Sequence, residues 1–119
     1  MCSSAAGGRT ARVTGDHKAS YSDPLAVQVG ERVQVSRRDD TWPAFVWCMN
    51  AAGKGGWVPE TVLRRDGADG TALRGYDTRE LSVSAGETVS AGERLAGWVW
   101  VTNTTGDSGW VPEASLDIT

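Results

Sequence analysis

The chain repeats itself, and that repeat constrains the fold more than any other feature. Residues 47–63 read WCMNAAGKGGWVPETVL and residues 100–116 read WVTNTTGDSGWVPEASL. Laid together without a gap, they agree at nine of seventeen positions. A second block, 25–33 (LAVQVGERV), matches 81–89 (LSVSAGETV) at Leu, Val, Gly, Glu and Val. The offset between copies falls from 56 to 53 residues between the blocks, so the first copy carries three extra residues between Val33 and Trp47. Such a mismatch belongs in a loop and the matched blocks in regular structure. A charged, Gly-rich stretch, RRDGADG at 64–70, marks the boundary. The expected organisation is a disordered tail over 1–9, one domain over 10–66 and a second over 67–119.

Within a copy the apolar period is two. Leu25, Val27 and Val29 alternate with Ala26 and Gln28, then Gly30-Glu31 precedes Val33 and Val35. The second copy repeats this with Leu81, Val83, Ala85, Gly86-Glu87, Val89 and Ala91. This predicts strand, tight turn, strand. Val99 and Val101 alternate with Trp98 and Trp100, one face entering the core and the other carrying indoles. Fifteen glycines in 119 residues and six tryptophans suit a turn-dense β protein. Nothing reads as a helix beyond a single turn after each Pro-Glu. The fold class is all-β, two tandem small five-stranded barrels. The predicted core is Leu25, Val27, Val33, Val46, Cys48, Val58 and Leu63, with Leu81, Val83, Val89, Val99, Val101, Val111 and Leu116.

Charge and cysteine content narrow the function. The net charge of −3 gives no bulk attraction to nucleic acid or an anionic membrane. Residues 1–66 hold nine Lys/Arg and seven Asp/Glu, net +2, whereas 67–119 hold three and eight, net −5. Opposite charge favours docking of the copies or weak head-to-tail association, so a monomer or weak homo-oligomer is expected. Cys2 and Cys48 make neither a disulfide framework nor a metal quartet. The start, Met1 to Gly8, lacks the charged and apolar segments of a signal peptide, which predicts a cytoplasmic protein.

The ordered motifs resemble the Src homology 3 family in its bacterial variant form, twice over. The second copy offers Ala72-Leu73-Arg74-Gly75-Tyr76, Glu80-Leu81-Ser82-Val83, Gly86-Glu87, Trp98-Val99-Trp100-Val101 and Gly109-Trp110-Val111-Pro112. The first offers Leu25-Ala26-Val27, Gly30-Glu31, Phe45-Val46-Trp47-Cys48 and Gly56-Trp57-Val58-Pro59. The resemblance implies non-catalytic modules binding an extended peptide in an aromatic-lined groove. Carried over, that groove falls on Tyr76, Trp98 and Pro112 in the second copy, with Asp77 and Glu80 at the end that meets a cationic side chain. In the first copy it falls on Phe45 and Pro59, with His17 at the first-strand aromatic position and Tyr21 as a nearby substitute. Ser115 and Val62 stand where the family has a groove tyrosine, so a standard Pro-x-x-Pro specificity is not implied.

Other motifs carry less. Trp47 with Trp57, and Trp100 with Trp110, lie ten residues apart across a predicted hairpin and are expected to stack as cross-strand pairs. Gly106-Asp107-Ser108-Gly109 superficially resembles a serine-protease nucleophile motif, yet the sole histidine, His17, is in the other copy and the motif reads as a turn. One histidine cannot build a zinc site. No catalytic residue, metal or cofactor is expected. The leading expectation is a binding module for a peptide or protein segment. The alternatives are a bacterial envelope module for cell-wall peptide or glycan, and a structural self-assembly unit.

Overall fold

The computed structural model describes residues 9–19 and 23–118. The strands are β1 (Arg9–Val13), β2 (Ala26–Val27), β3 (Arg32–Arg38), β4 (Phe45–Met49), β5 (Gly55–Pro59), β6 (Leu63–Asp66), β7 (Asp69–Ala72), β8 (Tyr76–Asp77), β9 (Thr88–Leu95), β10 (Trp98–Thr102), β11 (Ser108–Pro112) and β12 (Leu116–Ile118). A single 3₁₀ turn follows Pro59 and another follows Pro112, at Glu60–Val62 and Glu113–Ser115. Two five-stranded sheets result, ordered β5-β4-β3-β7-β6 and β11-β10-β9-β1-β12. The all-β, twofold five-stranded design is thus as the sequence predicts.

The compact units are not the two repeats. One unit is continuous, Ser22–Arg79; the other is split, Met1–Tyr21 with Glu80–Thr119. The sequential barrels expected over 10–66 and 67–119 are corrected on this point. β1, from the first repeat, lies between β9 and β12 of the second. β7, from the second repeat, lies between β3 and β6 of the first. Each sheet has therefore taken the first strand of the other repeat.

A short turn provides the physical reason. Asp66 pairs with Asp69, so Gly67-Ala68 is a two-residue hairpin loop. Gly67 has φ 65° and Ala68 is not left-handed, the positive-then-negative pattern of a tight hairpin turn. Such a loop folds β7 back antiparallel on β6, in the slot the first repeat's own leading strand would fill. The boundary expected at 64–70 is therefore a hairpin rather than a linker. Residues 1–8 of the expected tail lie outside the described residues, and Arg9 already belongs to β1.

Packing inside each unit follows the alternation. In the split unit Ala11, Val13, Val83, Val89, Ala91, Val99, Val101 and Val111 form one buried cluster, with Leu81 and Leu116 partly buried against it. In the continuous unit Leu25, Val27, Val33, Val46, Cys48, Val58 and Leu63 are buried as expected. Burial pushes the Cys48 thiol up to about 11, with Arg65 opposing the shift, so the thiol is neutral and inert near neutral pH. Equivalent bulges interrupt β3–β4 and β9–β10 and let the long third strand of each sheet bend. The three extra residues of the first repeat enlarge the connection at 39–44; the matching connection is the Ala96-Gly97 turn, with φ 54° and 88°. The segment 81–85 joins no strand of the split unit's sheet; a bridge from Val83 to His17 and bonds from the Leu81 N–H to the Trp110 carbonyl and the Ala85 N–H to Asp16 hold it in place.

Candidate functional site

In the split unit four elements converge on one half-buried indole. Trp98 opens β10 and stands opposite Pro112, the last residue of β11. His17 follows β1 and is held by reciprocal backbone bonds: its N–H donates to the Val83 carbonyl at 2.9 Å, and the Val83 N–H donates back at 2.8 Å. The imidazole meets Trp98 edge-on, with centroids 5.4 Å apart and planes at 80°. Its Nε2 lies 2.9 Å from Glu80 Oε1. The two side chains are only 15% and 17% exposed, so the pair is packed against its surroundings and is not a free surface contact.

Glu80 is carried there by a close backbone approach. It forms a parallel bridge with Trp110, and the Leu81 N–H donates to the Trp110 carbonyl at 3.1 Å. A Cβ at Gly109 would lie 2.7 Å from the Glu80 carbonyl carbon and the Leu81 nitrogen, so only glycine lets the acidic segment cross β11 here. The continuous unit repeats the device, where a Cβ on Gly56 would meet Thr78 at 2.9 Å and Leu25 at 3.0 Å.

The corresponding residues of the continuous unit are closed off. Phe45 stands opposite Pro59, and Tyr76 pairs with Val27. Phe45 is 6% and Tyr76 7% exposed, and Pro59 is fully buried. The Asp77 carboxylate accepts the Arg79 N–H at 2.8 Å and so closes its own turn. Nearby, Glu60 accepts from Arg38 and Arg65, both at 2.9 Å. Those guanidiniums, the hydrogen bond from Arg38 foremost, hold its carboxyl below the usual carboxylate range.

The site grouping read from the sequence needs correcting. Tyr76 and Asp77 were expected beside Trp98, Pro112 and Glu80, but they belong to the continuous unit with Phe45 and Pro59. His17, expected with Phe45, lies instead against Trp98. The cause is the strand exchange, since each residue travels with the strand that precedes it. Tyr21 lies outside the described residues. The predicted indole pairs are present: Trp47 with Trp57 at 5.1 Å and Trp100 with Trp110 at 5.3 Å, both edge-to-face. Arg37 lies over Trp57, its guanidinium carbon 5.0 Å from the ring centroid. Among the described residues no group of three or more metal-ligating side chains occurs.

The chain thus forms two small all-β units, one with a half-buried indole beside a proline, an imidazole and a carboxylate. The variant SH3 domain model matches residues 10–66 and again 72–118, and the chain belongs to that family. Domains of this family are generally non-catalytic protein-interaction modules. The mouse SH3 and PX domain-containing protein 2B is 27% identical over 124 aligned positions, covering 87% of this chain. The chain spans about 13% of that relative's length. No solved structure matches. Both family matches follow the sequence repeats and not the compact units, because the exchanged strands occupy equivalent slots.

Proposed function

We propose that the split unit binds an extended peptide or protein segment across Trp98, with Pro112 flanking the indole and the His17–Glu80 pair at one end. The supporting observation is the contrast in exposure. Trp98 and Pro112 keep accessible surface, whereas Phe45, Pro59 and Tyr76 are buried. A flat indole offers apolar contact at little entropic cost, and such a residue at the centre of an interface dominates affinity. Glu80 gives the cleft a negative end suited to a cationic ligand side chain.

The test is an NMR titration with a library of extended proline-containing decapeptides, with and without Arg or Lys. Binding should perturb the Trp98 indole N–H and the Glu80 amide. Trp98→Ala should weaken binding by about thirtyfold, corresponding to ~2 kcal/mol. Perturbations centred on Trp47 and Trp57, with Trp98→Ala binding normally, would refute this site.

A further inference from the structure

We infer that the slot between β9 and β12 selects β1 over β7 by charge and side-chain size, so that the strand exchange is encoded in the two repeats and not only in the turn that joins them. Val13 and Ala72 are equivalent, as are Leu116 and Leu63, which they face. Thr10 to Val13 of β1 can thus be compared position by position with Asp69 to Ala72 of β7.

Charge separates them first. Arg12 stands opposite Asp117 on one side and Thr88 on the other. Its counterpart, Thr71, stands between Arg64 and Arg32. Were β1 to occupy the continuous unit, Arg12 would sit between two arginines, and directly opposed like charges destabilise a sheet. Arg32 would also lose Asp69, which it now bonds at 3.1 Å.

Size separates them again. Gly70 occupies a tight position, where a Cβ would lie 3.2 Å from Val35 Cγ2 and 3.5 Å from Leu63 Cδ1. The equivalent residue in β1 is Ala11, and the equivalent of Val35 is Ala91, both in the split unit's core. Glycine therefore goes with valine and alanine with alanine. Reversing the strands would crowd Ala11 against Val35 and leave Gly70 beside Ala91 with space unfilled. Both mismatches disfavour the sequential arrangement. One consequence concerns the cleft, because only the exchanged strand brings His17 to Trp98.

Paired cysteines in the full chain test the inference, with Cys2→Ser throughout and Cys48 left in place. Thr10 faces Ser90, whereas in the sequential arrangement it would face Gln34, the residue opposite Asp69. A chain carrying Thr10→Cys, Ser90→Cys and Gln34→Cys should, on mild oxidation, form the link from 10 to 90 in about tenfold or greater excess over 10 to 34, read by peptide mapping. A predominant link to 34 would overturn the inference. The second arm adds a six-residue Gly/Ser insertion after Gly67, with and without Arg64→Asp, Asp117→Arg and Val35→Ala. The insertion alone should leave the link at 90, and adding the three substitutions should move it to 34. A link that moves with the insertion alone, or that stays at 90 with all changes present, would show that charge and size do not select the strand.

Discussion

Replacing Gly109 with alanine probes the contact that carries the acidic segment to the cleft. The added Cβ would lie 2.7 Å from the Glu80 and Leu81 backbone, so these atoms must retreat by about 0.7 Å to reach the 3.4 Å of ordinary contact. The segment has little freedom to do so, since the Leu81 N–H is bonded to Trp110 and the Val83 N–H to His17. Overpacking of this kind costs roughly 1–3 kcal/mol, and losing one backbone hydrogen bond adds about 1. A destabilisation of about 2–3 kcal/mol is expected for the split unit, read by urea denaturation from the amide signals of Ala11 and Val101. Gly92→Ala is the control, because its Cβ meets only the Trp100 carbonyl at 3.3 Å and should cost less. If Gly109→Ala were within about 0.5 kcal/mol of the parent, or Gly92→Ala cost as much, the close approach would not be what requires glycine.

Trp110→Ala removes a side chain only 4% exposed together with its edge-to-face contact with Trp100. It should cost about 3 kcal/mol by urea denaturation while decapeptide affinity of the folded fraction changes little. Cys48 titrates near 9 when unfolded and at about 11 when folded, so deprotonation favours the unfolded chain between those values. Stability of the continuous unit should fall from pH 9 to pH 11, and Cys48→Val, which installs the residue found at the equivalent Val101, should reduce that fall in a pH series of denaturation midpoints.

The strand alternation, the Gly30 and Gly86 turns and the stacked indole pairs were legible in the sequence because each depends on local chemistry. Leu-x-Val before Gly-Glu needs no distant partner to be recognised, and two tryptophans ten residues apart across a turn must face one another. The owner of each first strand was not legible. β1 and β7 are both short and contribute only small core residues, Ala11 and Val13 against Gly70 and Ala72, so neither advertises its sheet. The available signal was Gly67-Ala68, a Gly-x pair that suits a two-residue hairpin loop, together with the placement of Arg12 opposite an acid or two arginines. Once those strands change places, His17 and Tyr76 change units with them, so His17 lies against Trp98 and Tyr76 lies in the unit of Phe45, the reverse of the grouping read from the sequence. The closure of Phe45 and Tyr76 was invisible for a different reason, since burial depends on the assembled unit and not on periodicity.

Cross-strand NOEs in the unmodified protein bear most directly on the interleaved fold. The register places Val13 opposite Leu116 and Ala72 opposite Leu63. Backbone NOEs linking Val13 to Leu116 and Ala72 to Leu63 are the expected result. NOEs linking Val13 to Leu63 and Ala72 to Leu116 would instead describe two sequential barrels and contradict the exchange.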